Sequence, residues 1–132
     1  MKFRVPVIVM AAIVLSATGA YAHHSFAGTY QEHGVIKLEG DVVEFNIRNP
    51  HSFILIEVTE KDGKKVKWGG EWGGVTQLSQ GGVTRFTLEV GDHLIIEGAP
   101  PRDSLDKKIL VRKVWRPATD KKPAWEWAGN VR

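Results

Sequence analysis

The sequence predicts a mainly β protein, built as a small five-stranded OB-like Greek-key barrel with one short helix between strands 3 and 4. Five segments of the 132-residue chain alternate apolar and polar residues with the two-residue period of a strand. Glycine pairs bracket one short helical stretch between the third and fourth segments. The first segment is long and its apolar phase shifts by one residue near Gly40, which indicates a β-bulge or bend. A small antiparallel β-sandwich is the alternative arrangement of the same elements.

The predicted strands cover residues 35–45, 53–60, 66–72, 93–98 and 108–115, and the predicted helix covers 75–80. Asn49-Pro50-His51 breaks the pattern between the first two strands, because proline lacks an amide proton and restricts the residue before it. Lys61-Asp62-Gly63-Lys64 predicts a hairpin, since Asp-Gly tolerates positive φ. The second and third strands should therefore pair antiparallel.

The first 22 residues have the pattern of a secretory signal peptide. Lys2 and Arg4 give a basic start, residues 5–15 are almost wholly apolar, and Ala20-Tyr21-Ala22 is a small-residue cleavage pattern. The apolar run has about 11 residues, whereas a membrane-spanning helix needs about 20. We expect cleavage after Ala22, a periplasmic or secreted protein, and no membrane span after processing.

The expected division of the chain is a signal peptide over 1–22, an N-terminal arm over 23–34, an OB-like barrel domain over 35–116 and a C-terminal tail over 117–132. The arm shows no period and is interpreted as extended. The tail is polar and interrupted by proline, which predicts a loose segment whose large apolar residues are Trp125 and Trp127.

Charge and cysteine content exclude several function classes. The whole chain has a formal net charge of +3 from 18 basic and 15 acidic side chains, and Lys2 and Arg4 lie in the expected signal peptide, so 16 basic side chains remain against the same 15 acidic ones. A nearly balanced exported chain gives little support for a nucleic-acid partner. The absence of cysteine excludes thiolate catalysis and cysteine-ligated zinc or iron–sulfur sites.

Four short motifs together resemble a family of small exported bacterial proteins of unknown function. They are His23-His24-Ser25-Phe26, Leu38-Glu39-Gly40, Asn49-Pro50-His51-Ser52 and Val90-Gly91-Asp92, and the resemblance covers most of residues 23–116. It implies a single OB-like barrel behind a signal peptide, and it implies no activity. Members usually carry Arg-Arg-Gly-Trp after the short helix; residues 79–85 here read SQGGVTR, in which Arg85 keeps one basic position.

The histidines form a candidate metal site. Cleavage after Ala22 would give His23 a free α-amino group beside its imidazole, and these two nitrogens can chelate one ion. Imidazole and amine nitrogens suit Cu(II), so copper is the candidate cofactor. His51 is the candidate third ligand, and His24 could supply its ring or backbone nitrogen instead. The alternative interpretation is a mobile polar terminus with His51 as a turn residue.

The third strand carries candidate ligand-binding residues. OB barrels bind ligands on their central strands, often by aromatic stacking, which makes Trp68, Glu71 and Trp72 candidates together with Arg85. Core packing is the favoured alternative for the two tryptophans, because both share a face with Val66. His33 and His93 are expected on the surface.

Catalytic motifs are missing from the sequence. It contains no nucleophile elbow, H-E-x-x-H, phosphate loop or dinucleotide fingerprint. The sequence therefore favours a non-enzymatic exported binding module that recognises an unknown small ligand or a periplasmic protein. The alternative is a copper-binding or copper-handling protein that uses the N-terminal histidine chelate.

Overall fold

The structure is a computed structural model that describes residues 26–131. Among these residues, a helical turn over 26–29 is followed by six strands and a short helix: β1 Ile36–Asn46, β2 Ser52–Thr59, β3 Lys65–Trp72, α1 Val75–Gln80, β4 His93–Ala99, β5 Lys108–Arg116 and β6 Trp125–Ala128. The predicted signal peptide, His23 and His24 lie outside the described residues.

The strands close into a barrel. Their order is β3-β2-β1-β4-β5-β6, with antiparallel neighbours throughout, and an additional parallel pairing of β3 with β5 joins the two sides. Five strands thus form a mixed closed barrel with α1 between β3 and β4. This confirms the predicted OB-like barrel rather than the sandwich.

Strand β1 pairs with both β2 and β4, and a bulge permits this. The register against β2 shifts between Val42 and Glu44, close to the predicted phase change. Gly40 lies at a close approach of β1 to β2, since a Cβ there would be 2.3 Å from the carbonyl oxygen of Glu57. Gly98 has the same role between β4 and β5, where a Cβ would be 2.0 Å from the carbonyl oxygen of Leu110. Neither position accepts a side chain without backbone movement.

The turns agree with the sequence prediction. The β2–β3 hairpin turns at Gly63, whose φ is +84°, and the backbone amide of Lys64 donates to the Asp62 carboxylate over 3.0 Å. The helix α1 has the predicted bounds and buries Leu78. Gly91, in the turn before β4, has a φ of +91°. Such positive φ values favour glycine because it has no Cβ.

Two hydrophobic clusters lie on opposite sides of the barrel wall. Alternate strand residues fill the interior; its fully buried members include Ile54, Ile56, Trp72, Leu94, Ile96, Ile109 and Val114. A second cluster lies outside the barrel and consists of Phe26, Tyr30, Ala99 and Leu110. It packs the N-terminal arm against β4 and β5. In the described part of this arm, residues 26–29 are helical rather than extended, so the predicted conformation is wrong there.

The C-terminal segment is not loose as predicted, because residues 125–128 form β6. This strand pairs antiparallel with β5 from Lys113 to Arg116. Trp127 is 7% exposed and its ring meets that of Trp72 edge to face, with the centroids 4.9 Å apart. The loop before β6 is also held in place, because the Lys122 ammonium donates hydrogen bonds to the carboxylates of Asp92 and Glu89. Long-range packing thus orders a segment whose local sequence is polar.

Replacing Trp127 with alanine should lower the free energy of unfolding by about 3–5 kcal/mol, since it removes a large buried ring from the core. Urea denaturation followed by circular dichroism measures this. Trp115→Ala is the matched control, because Trp115 is 41% exposed and its loss should cost much less. Equal midpoints for the two variants would show that the C-terminal strand contributes no core packing.

Candidate functional site

The turn between β1 and β2 presents His51 in a fixed position. The buried Ser52 hydroxyl accepts from the amide of Arg48 at 3.1 Å and donates to its carbonyl at 3.3 Å. The Asn49 side-chain oxygen accepts from the amide of Val75 at 2.9 Å, which satisfies one of the free donors at the start of α1. Since β1, β2 and α1 all hold this turn, the His51 side chain projects from a rigid base.

His51 lies beside Glu71 of β3. The His51 Nδ1 and the Glu71 Oε1 are 2.9 Å apart, and each side chain is 19% exposed. The contact places a carboxylate against the Nδ1 side of the imidazole ring. Within residues 26–131, Nε2 of the same ring has no hydrogen-bond partner. Nε2 is therefore the ring nitrogen that Glu71 does not contact.

Tyr30 completes a chain of three polar side chains. Its hydroxyl donates to the Glu71 Oε2 at 2.7 Å, so the two oxygens of this carboxylate contact different residues. Tyr30 is 1% exposed. Burial, and then the hydrogen bond and charge of Glu71, raise the pKa of the Tyr30 hydroxyl far above its ordinary value. The hydroxyl therefore remains a protonated donor at any physiological pH.

The N-terminal arm brings an aromatic ring over the histidine. The Phe26 ring centroid is 4.6 Å from that of His51, and Phe26 is 7% exposed. The backbone holds the arm in place through two long-range hydrogen bonds, Gln31 N to Pro100 O and Arg102 N to Thr29 O, which together form the Tyr30–Pro101 bridge. The arm thus docks on the loop between β4 and β5, and its described end lies on His51.

The other candidate ligand-binding residues do not meet at this site. Trp68 faces the barrel interior opposite Ile56, is half-buried, and has the Lys107 ammonium 5.1 Å from its ring centroid. Trp72 is fully buried, in agreement with core packing. Arg85 is exposed in the loop after α1, where its guanidinium lies 4.6 Å from the centroid of Phe86. Of the four candidates, Glu71 is the one that contacts His51.

Sequence reasoning missed Phe26 and Tyr30 as site residues. Both lie in the arm, which has no strand period. Their four-residue spacing was the available signal, because residues at i and i+4 share one face of a helical turn. The amide of Tyr30 indeed donates to the Phe26 carbonyl at 2.7 Å.

The arrangement offers a pair of ligating groups rather than a complete metal site within residues 26–131. No group of three or more His, Asp or Glu side chains in that range is placed to hold an ion. Any metal at His51 would need further ligands from outside this range. No helix among residues 26–131 has the length and apolar character to span a membrane.

Comparison with known families gives one match. A family described as a family of unknown function, DUF6152, matches residues 11–111. The chain belongs to this family. The match agrees with the expected resemblance to an uncharacterised family. It covers the arm, His51, Glu71 and the strands from β1 into β5, and it carries no activity. No curated protein matches the sequence.

In this DUF6152 member a second histidine, His93, lies on the outer surface as predicted. Its Nδ1 is 2.7 Å from the Asp41 carboxylate and its Nε2 is 2.8 Å from that of Glu39. These hydrogen bonds, first that to Glu39 and then that to Asp41, raise the pKa of His93 above its ordinary value, while partial burial opposes them. Glu57 pairs with Asp41 across β1 and β2 and adds to the negative surroundings.

The raised pKa of His93 predicts a pH dependence. Because the folded pKa exceeds the unfolded one, the contribution of His93 to stability is fully present below the unfolded pKa, near pH 6.5, and is lost as pH rises through the folded pKa. Titration by nuclear magnetic resonance should show a His93 pKa above the ordinary value of 6.5. The double variant Glu39→Gln, Asp41→Asn should remove most of the difference; an unchanged His93 pKa would contradict the assigned cause.

Proposed function

We propose that this chain is an exported, non-enzymatic binding module and that its ligand is a Cu(II) ion held by the mature N-terminus together with His51. Export is supported by the signal-peptide pattern of residues 1–22. The absence of catalytic motifs supports a binding role. The barrel provides a rigid support, on which the turn carrying His51 and the docked arm meet.

The contact between Phe26 and His51 carries the proposal. His24 and His23 precede Phe26 by two and three residues, and consecutive Cα atoms are about 3.8 Å apart. The Cα of His23 is therefore within about 11 Å of that of Phe26. Because the Phe26 ring lies 4.6 Å from the His51 ring, the length of the chain permits both N-terminal histidines to reach His51.

The nitrogen atoms available at this proposed site suit Cu(II). Cleavage at the Ala22–His23 bond would supply an α-amino nitrogen and the His23 imidazole, and Nε2 of His51 would add a second imidazole. Three neutral nitrogens favour Cu(II), which heads the affinity order of the first-row divalent metals. His24 is the alternative donor if His23 binds through its amine alone. Bound copper would supply redox chemistry, and the chain's own residues would hold and orient it.

A groove beside Trp68 favours a small flat organic molecule as a second candidate ligand. Leu38, Val58 and the half-buried Trp68 line it, and Lys107 lies over the tryptophan ring. Stacking on this ring would provide affinity and the ammonium would favour an anionic substituent. Trp68→Ala would abolish binding of such a ligand and leave Cu(II) binding at His51 unchanged, so parallel titrations separate the two candidates.

The purified mature protein, with His23 as its first residue confirmed by mass spectrometry, should bind one equivalent of Cu(II) with sub-micromolar affinity. Electron paramagnetic resonance should show equatorial nitrogen ligands. One extra residue before His23 removes the chelating amine, and His51→Ala removes the third nitrogen, so both changes should weaken binding strongly.

His33→Ala is the matched control, since His33 is an exposed arm residue. Its affinity and spectrum should equal those of the unaltered protein. Weak binding that survives His51→Ala and resembles that of a short histidine peptide would refute the proposed site.

A further inference from the structure

We propose that the outer face of the barrel around Trp115 is a binding site for a neutral sugar ring. A cavity of about 230 Å³ lies on this face. Its lining comes from β1, β4, β5 and β6 and consists of Lys37, Ile95, Glu97, Lys113, Trp115 and Glu126. Pockets that enclose drug-sized ligands have roughly 300–1,000 Å³, so this cavity suits one small ring. The inference does not rest on Cu(II) binding, because the lining shares no residue with the His51 site.

A bulge in β5 turns the Trp115 side chain outwards. Val111 is fully buried in the barrel interior, and unbroken alternation would place Trp115, four residues further along, on the same inner side. The register against β4 shows that β5 has one extra residue, Arg112. Val114 consequently takes the buried position, and Trp115 is 41% exposed. Bulges beside functional sites re-aim side chains in this way.

Trp115 differs from the other four tryptophans in having no aromatic or cationic partner. Each of the others has one: Trp72 and Trp127 meet each other, Lys107 lies over Trp68, and Arg116 lies over Trp125. Among residues 26–131, no second ring or cation lies against the Trp115 indole. Its exposed ring is therefore available to stack on a ligand.

The polar side chains around this indole carry balanced charge. The Lys37 ammonium and the Glu97 carboxylate are 3.9 Å apart and both exposed, which makes a weak pair that a ligand can separate. Lys113 and Glu126 form no ion pair with any other residue in the range 26–131. Because two ammonium groups face two carboxylates, a charged ligand would meet a like charge as well as an opposite one. The charge pattern thus favours a neutral ligand.

The strand register places these polar groups at the edge of a ring stacked on Trp115. Ile95 and Glu126 are its direct neighbours on β4 and β6, and such cross-strand neighbours have Cβ atoms about 5 Å apart. Lys113 lies two residues away on β5, a distance of about 7 Å. A sugar ring presents C–H bonds to the indole and hydroxyl groups at its edge. Each hydroxyl can donate to a carboxylate and accept from an ammonium group, so both kinds of side chain serve one ligand.

Titration of the purified protein with neutral sugars, followed by nuclear magnetic resonance, tests the inference. The probes are D-glucose, D-galactose, D-mannose and N-acetyl-D-glucosamine at up to tens of millimolar, since a ligand with few atoms binds weakly. At least one of them should shift the Trp115 indole N–H signal saturably, and irradiated indole protons should transfer saturation to the sugar C–H protons. Glucuronate and glucosamine add one charge to the glucose ring and should bind no more tightly than glucose.

Variants of the lining separate stacking from a general surface effect. Trp115→Ala should weaken sugar binding about tenfold or more, since it removes the stacking surface. Circular dichroism should show that this variant is folded, because the ring lies outside the core. Glu126→Gln keeps an accepting oxygen and should weaken binding less than Glu126→Ala. Phe86→Ala is the matched control, because it removes a 73% exposed ring from the loop before β4, and it should leave binding unchanged.

The inference is overturned if none of the four sugars shifts the Trp115 signal saturably, or if Trp115→Ala binds as tightly as the unaltered protein. A Trp115 signal that moves on dilution without sugar would identify this face as a contact between copies of the chain, which also overturns it. Tighter Trp115-dependent binding of benzoate than of every sugar would assign the face to flat aromatic anions instead. Loss of Cu(II) binding would leave all of these readings unchanged.

Discussion

The parallel pairing of β3 with β5 is the constraint on which both barrel and site depend. It joins Gly69 to Lys108, Gly70 to Ile109 and Glu71 to Leu110. On the inner side it closes the wall around the core. On the outer side it places the Glu71 carboxylate next to Leu110, the apolar residue on which the arm packs. The β3–β5 pairing thus places the Glu71 carboxylate beside the apolar side chain of Leu110. The candidate site is therefore a consequence of barrel closure.

The N-terminal arm forms a second apolar cluster on the outer face of the barrel. Phe26 and Tyr30 cover Ala99 and Leu110, which would otherwise expose apolar surface on β4 and β5. The hydroxyl of the buried tyrosine would be costly without a partner, and Glu71 supplies one. The arm is therefore held by apolar burial, whereas its exact register is set by the hydrogen bond and by the Tyr30–Pro101 bridge.

Local sequence predicted most of the barrel and little of the site. Strands β1–β5, the Asp62-Gly63 hairpin and α1 follow from residue alternation and turn chemistry, which act over a few residues. Strand β6 was missed because four residues in a polar segment form a strand through pairing with β5 and packing of Trp127. His51 and Glu71 were each singled out, but for different roles, because their contact depends on the pairing of β2 with β3.

The docked arm also constrains what the first residues of the mature chain can reach. With the Phe26 ring packed on His51, an N-terminus three residues earlier would have its Cα within about 11 Å of that of Phe26. Cleavage one bond later would remove the His23 imidazole and leave His24 as the chelating residue, nearer to Phe26. Cleavage earlier would bury the amine in a peptide bond and leave imidazoles alone. Under the proposed function, cleavage of the Ala22–His23 bond therefore decides whether the chain carries an amine–imidazole chelate at His23 or only separate imidazoles. The barrel fixes the position of His51, the proposed third ligand.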